Sequence, residues 1–260
     1  FLTHCQSHFL NVGTSSTSQN IKIVSYNVEG PDISIFNAFE RYSSFRDDYL
    51  QGDEDIICIQ EAKQTGILES VFSDYPYTYI TKYSTTHNDW DFSCFCHRAT
   101  DQYMVILSKY PFLSTHNQLI QKDSHGDGWQ RKVQYVRVDI GNDLDPIHVY
   151  NFHNSNVPEG ASTDQAESGL LKFKMYVWMT QFKILNQDLT NDVFMVGDFN
   201  LNSYSTVMNI LGTNLIKHHS GVDYIVSNLN HDDNKGYYDT SNAPNIISDH
   251  PAIWASYVVD

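Results

Sequence analysis

No run in the 260 residues comes near the roughly 18 consecutive apolar residues of a membrane-spanning helix. None is therefore expected. Nothing repeats at a fixed period, and no Pro/Gly-rich linker divides the chain. One domain over residues 21–260 is expected, after an N-terminal tail of residues 1–20 that mixes polar and apolar residues and ends Thr-Ser-Gln-Asn. Basic residues are scarce: 16 Lys and Arg stand against 31 Asp and Glu, a formal net charge of −15. That excludes a static, high-affinity nucleic-acid binder working by phosphate neutralisation. It does not exclude an enzyme, which needs positive charge only at the reacting phosphate. Cysteine is limited to Cys5, Cys58, Cys94 and Cys96, without a His/Cys set at zinc spacing. Cys58, inside Ile56-Ile57-Cys58-Ile59, reads as a core thiol. Cys5 is expected to pair with Cys94 or Cys96. No Asn-x-Ser/Thr sequon occurs. The chain begins at Phe1, which suggests processing, and a secreted protein from a lineage without such glycosylation is expected.

Tyr (17) and Phe (14) are plentiful, and short Val/Ile/Tyr-rich runs recur between Asp, Asn, Gly and Ser. The pattern predicts strands over Ile21–Asn27, Ile56–Gln60, Tyr103–Ser108, Val133–Ile140, Ile147–Phe152, Val193–Val196, Val222–Ser227 and Ala252–Val258. Helical patterns fit Ile33–Leu50, Ala166–Gln187 and Thr206–Leu211. Some strands alternate in polarity, whereas Ile56–Ile59 and Val193–Val196 are wholly apolar, as strands covered on both faces would be. The expected fold is a four-layer α/β sandwich: two mainly antiparallel sheets packed face to face, with helices outside.

Four of these strands meet polar residues that packing alone would not select. The first ends in Tyr26-Asn27 and the second in Gln60-Glu61. Val193–Val196 runs into Gly197-Asp198-Phe199-Asn200, and Ser248-Asp249-His250-Pro251 precedes the last strand. A Glu after a buried strand is often just the chain reaching water, and Asp-x-Asn is often a turn. The ordered set of four is harder to dismiss. On an extended stretch Asp198 and Asn200 would project to one side. With the carboxylate of Glu61 they would make a hard oxygen set for Mg²⁺, with Mn²⁺ or Ca²⁺ as alternatives. His153 and His250 flank it and could manage protons near neutral pH.

These motifs together resemble the ordered signature of the endonuclease/exonuclease/phosphatase superfamily over roughly residues 21–258. Asp101-Gln102-Tyr103 is similar to the deoxyribonuclease I branch, and His219-Ser220-Gly221-Val222-Asp223-Tyr224 to the nuclease subunit of cytolethal distending toxins. The resemblance implies a DNase I-like fold and a role for each residue. Glu61 would bind the metal, with Asn27 and Asp249 near it, and His153 and His250 would be the acid/base pair. Asp101 would orient His153, and Asp223 would orient His250. Asp198 and Asn200 would position water and phosphate, and Arg131 would hold a phosphate oxygen. Departures are present too: the stretch 81–98, expected as a loop, matches no branch in detail, and His153 is followed by Asn154-Ser155-Asn156. Lys63 reads as a surface lysine, with phosphate contact as the alternative.

The leading expectation is a secreted, monomeric DNA endonuclease leaving a 5′-phosphate, with a toxin-like delivery partner as an option. A sphingomyelinase-type lipid phosphodiesterase is the alternative, because Trp90, Phe92 and Phe95 could enter a membrane interface. A catalytically idle binding protein is the third reading. It fits poorly with a chain that keeps Glu61, Asp198, Asn200, Asp249 and both histidines.

Overall fold

A computed structural model describes residues 18–28, 35–91, 96–122, 130–154, 164–185, 192–201, 203–211, 216–229, 234–240, 248 and 250–260. The expected Cys5 pairing, Phe92, Phe95, Asp249 and nearly all of the N-terminal tail lie outside these residues, as do the side chains of Trp90 and Cys96.

Twelve strands form two six-stranded sheets. The first contains β1 (Gln19–Asn27), β2 (Ile56–Ala62), β3 (Tyr77–Asp91), β4 (Cys96–Ser108), β11 (Lys235–Tyr238) and β12 (Ala252–Val259), in the order β11-β12-β1-β2-β4-β3. The second contains β5 (Phe112–Lys122), β6 (Gln130–Val138), β7 (Ile147–His153), β8 (Val193–Asp198), β9 (Ile216–Ser220) and β10 (Asp223–Ser227), in the order β5-β6-β7-β8-β10-β9. Only β1–β2 and β7–β8 are parallel.

Period-two alternation builds the layers. Ile21, Ile23, Ile56, Cys58 and Ile106 of the first sheet meet Val136, Val149, Phe194, Val196 and Ile225 of the second in a shared core. The intervening residues point outward. Val24, Tyr26, Ile57 and Ile59 pack under α1 (Ile35–Ser44), the π-turn Phe45–Tyr49 that continues it, and α2 (Thr65–Val71). Tyr150, Phe152 and Tyr224 pack with Leu170, Phe173 and Val177 of α3 (Asp164–Leu185), and with Val207 and Leu211 of α4 (Tyr204–Leu211). This is the four-layer α/β sandwich expected from the strand patterns. Cys58 is a buried free thiol.

The strands missing from the sequence reading are β3, β5, β9 and β11, which are the outer strands of the two sheets. An edge strand has one neighbour and less surface to bury, so its apolar pattern is weak. Residues 113–119 of β5 are exposed throughout. The stretch 81–98, read as a loop, instead supplies most of a hairpin whose pairing continues to Asp91 opposite Cys96.

One glycine is demanded by this packing. Gly197 has φ +139, and a Cβ there would lie 1.9 Å from the carbonyl oxygen of Phe152 on the parallel neighbour β7. Gly197→Ala is expected to destabilise the protein by at least about 2 kcal/mol, through backbone strain and separation of β7 from β8. Urea unfolding with an unchanged midpoint would contradict that close approach.

Candidate active site

The site lies at one edge of the two sheets, where the parallel strands end and their antiparallel neighbours begin. Asn27 ends β1, His153 ends β7 and Asp198 ends β8, while Asp223 opens β10 and His250 precedes β12. Register brings them level: His153 pairs with Asp198, and Asp198 pairs with Asp223. Ile23, Phe194, Val149 and Ile225 face the shared core, so at even spacing Asn27, Asp198, His153 and Asp223 face the same cleft.

Glu61 reaches that cleft by a different route. Ile57 and Ile59 point outward, and regular alternation would send Glu61 outward as well. The β2–β4 register shifts between Ile59 and Ala62, and Glu61 takes φ 57. This bulge turns its carboxylate inward. A left-handed non-glycine residue costs roughly 1–3 kcal/mol, which the surrounding structure must hold in place.

Two carboxylates now converge. The Asn27 Nδ2 donates to Asp198 Oδ2 at 3.0 Å and to Glu61 Oε1 at 3.3 Å. The same two oxygens lie 3.6 and 3.5 Å from His153 Nε2. Burial pushes the Glu61 carboxyl up from its ordinary pKa, and Asp198 adds to the effect. Asp198 is pushed up as well, by burial first and then by Asp223. Acids crowded in this way are each other's problem, and a cation would relieve it.

The two imidazoles have opposite surroundings. His250 Nδ1 lies 2.8 Å from Asp223 Oδ2, a buried carboxylate. Ser248 fixes this segment: its hydroxyl donates to the Asn27 carbonyl at 2.6 Å and accepts the His250 N–H at 3.0 Å. His153 is buried, and its pKa is held well below the ordinary histidine value, first by desolvation and then by Arg131 and His250. Arg131, at 2 % exposure, places Nη1 at 3.3 Å from Nδ1 and 3.4 Å from Nε2 of that ring.

Three expectations change. Among the described residues, the groups bonded to or ion-paired with His153 are Tyr83, Arg131, Glu61 and Asp198. Asp101 is not one of them. It pairs with Lys82 Nζ at 2.6 Å and accepts from the Tyr103 hydroxyl at 3.3 Å. Alternation explains this, because Tyr103 packs on the outer layer and Asp101 shares its face, whereas the intervening Gln102 faces the cleft. Asn200 is not on an extended stretch. It takes φ 51, its N–H closes onto Asp198 Oδ1 at 2.7 Å, and its amide donates to the Asn154 carbonyl at 2.9 Å. Lys63 is buried, not at the surface. Tyr83, Gln102, Asn154 and Ser248 were given no role from sequence. Ser248, inside the Ser-Asp-His motif, and Gln102, inside Asp101-Gln102-Tyr103, each lay in a motif that could have found them.

The donor set suits a hard cation. Glu61 Oε1 and Asp198 Oδ2 both accept from the Asn27 amide, Glu61 keeps some solvent access, and no thiolate lies in the set. Ligand atoms of Asp198, Asp223 and His250 also lie within 4.8 Å of one another.

Residues 24–250 match the Endonuclease/Exonuclease/phosphatase family, and the chain belongs to it. No curated protein matches the chain by sequence. Solved structures share the fold. Sphingomyelinase C from Streptomyces griseocarneus aligns with TM-score 0.63 at 15% identity, over 92% of this chain and 99% of that one. Beta toxin from Staphylococcus aureus gives 0.63 at 16% identity, over 90% and 99%. TDP2 from Caenorhabditis elegans gives 0.63 at 16% identity, over 92% and 74%. The sandwich is thus that of a phosphoesterase family.

Arg131 disfavours an imidazolium beside it, so its removal should let the His153 pKa rise. In Arg131→Met the His153 ring, followed by NMR titration, is expected to protonate at higher pH than in the parent, though still below an exposed histidine. An unchanged or lower titration point would contradict the contact.

Proposed function

We propose that this protein is a divalent-metal-dependent phosphodiesterase acting as a DNA endonuclease. One observation carries the reading: a buried imidazole set against Arg131 and an imidazole paired with Asp223 flank the buried Glu61–Asp198 pair. Opposite surroundings suit opposite proton roles. His153, kept neutral, has a lone pair to take the proton of an attacking water held by Asp198. His250 carries its proton toward the leaving oxygen, with the Asp223 carboxylate stabilising the protonated ring. Arg131 supplies a fixed positive charge for a phosphoryl oxygen. Asn200 holds Asp198 through its N–H, and Asn154 holds Asn200.

Mg²⁺, with Mn²⁺ or Ca²⁺ as substitutes, would be held by Glu61 with Asn27, and with Asp249 as the family resemblance implies. Such an ion supplies charge neutralisation at the phosphate. Secretion, and delivery by a toxin-like partner, belong to the same proposal.

A second reading keeps the chemistry and changes the substrate to a phospholipid such as sphingomyelin. It is favoured by the β3–β4 hairpin, which runs on past the end of β2 and carries Trp90 near its far end, with Phe92 and Phe95 following in sequence. A side-by-side assay of plasmid DNA, RNA and sphingomyelin vesicles with Mg²⁺ separates the readings. Nicking of plasmid with no lipid turnover is the expected result.

His153→Ala and His250→Ala are each expected to lower kcat at least roughly a hundredfold with circular dichroism unchanged, since each removes a proton-transfer partner. Near-parental nicking by either variant would remove that residue from the mechanism. EDTA is expected to abolish turnover and added Mg²⁺ or Mn²⁺ to restore it. Full activity in chelator would end the metal assignment.

A further inference from the structure

The geometry points to Tyr83 and Gln102 as positioning residues that set which nitrogen of His153 carries its proton, the task Asp101 was expected to perform. The kinetic part of this inference rests on the phosphodiesterase reading; the tautomer itself does not.

The chain of contacts has one consistent polarity. Gln102 lies in the cleft with Nε2 at 3.5 Å from Glu61 Oε2 and Oε1 at 3.1 Å from the Tyr83 hydroxyl. The opposite orientation of this amide would set its oxygen against the Glu61 carboxylate, two acceptors with no proton between them. Gln102 Oε1 therefore faces Tyr83. A glutamine oxygen cannot donate, so the bond is Tyr83 O–H donating to Gln102. Burial holds the Tyr83 pKa well above its ordinary value, so the hydroxyl keeps that proton. Its proton is committed, and what it offers His153 Nδ1, 3.2 Å away, is a lone pair. For this contact to hold, the ring carries its proton on Nδ1 and leaves Nε2 bare, against the pull of the two carboxylates on that side. Nε2 is the nitrogen that faces Glu61 and Asp198.

Arg131 cannot make this choice. Its Nη1 sits nearly equidistant from the two ring nitrogens, so the contact favours neither. The Tyr83 contact breaks the tie. Its placement has a local cause: the β3–β4 register shifts between Lys82 and Ser84, so Tyr83 is the extra residue of a bulge. Its ring meets the His153 ring edge-on, with centroids 5.5 Å apart. The orienting group thus comes from the sheet opposite His153. A neutral hydroxyl in that place orients the ring without adding a fourth carboxylate to a crowded cleft.

The test uses the full chain with ¹⁵N-labelled histidine and long-range ¹H–¹⁵N correlation spectra. The parent is expected to show a protonated, pyrrole-type Nδ1 and a bare, pyridine-type Nε2 at His153. In Tyr83→Phe the acceptor facing Nδ1 is gone while the Glu61 and Asp198 carboxylates still face Nε2, and the signals are expected to move toward the opposite tautomer. Gln102→Leu, which frees the hydroxyl proton, should move them the same way and serves if Tyr83→Phe folds poorly. In the DNA assay both variants are expected to lose roughly ten- to a hundredfold in kcat with KM little changed, as for groups acting through another residue. A parent spectrum with the proton on Nε2, or folded variants whose His153 signals stay put, would overturn the assignment. If the parent cleaves none of the substrates, the functional reading falls and the spectra still decide the tautomer.

Discussion

Everything at the polar edge answers to the crowding of Glu61, Asp198 and Asp223 in a space largely closed to water. Three carboxylates so close would repel one another strongly in a medium of low effective dielectric. Each is met by a different device: an amide shared between Glu61 and Asp198, a backbone N–H on Asp198, an imidazole on Asp223. Those partners do not offset the cost in full: both the Glu61 and Asp198 carboxyls are held above their ordinary pKa, by burial first and by a neighbouring carboxylate after it. A fold selected for stability alone would have little reason to keep the group together. The cluster makes sense as a place where charge arrives from outside.

Such a cluster needs a stiff floor, and neutral amides supply it. Asn151 of β7 accepts from Gln60 Nε2 at 2.8 Å and donates to the carbonyls of Ile59 and Val105 and to Gln134 Oε1. Gln134 in turn donates to the carbonyls of Met104 and Tyr79. These bonds cross between the sheets just below the acids and tie β2, β3 and β4 to β6 and β7. Buried amides with partners add specificity of register without adding charge. The sheets therefore cannot slide without breaking several buried hydrogen bonds, and the spacing of Glu61, His153 and Asp198 is held by the same layer.

How much of this could be read from the chain follows from which physical signals are local. Central strands such as β2 and β8 are covered on both faces and announce themselves as apolar runs, so the sandwich and the strand ends bearing Asn27, Glu61 and Asp198 were legible. Edge strands were not, because half of their surroundings is solvent. Residue identity also predicted less than facing did. Asp101 and Gln102 are adjacent, and the more chemically suggestive of the two points away from the cleft. Glu61 had the right identity, yet on strand alternation alone it would point the wrong way. A bulge corrects it, and no residue in Ile59-Gln60-Glu61-Ala62 signals a bulge. Tyr83 was hidden by the same kind of irregularity within a stretch that looked like loop.

A net charge of −15 bears on how such a site could meet a polyanion. The summed field of the chain opposes approach, so long-range steering cannot supply the attraction. Among the described residues, a local source of attraction is the cleft, where Arg131 is buried and the acids favour a cation. Short range and low effective dielectric make those few charges count for more than the dispersed excess, which salt screens within about 8–10 Å. Moderate salt should therefore weaken the opposing field more than the local contacts. A substrate gripped at one phosphate, not along a track of them, is what this distribution of charge can support.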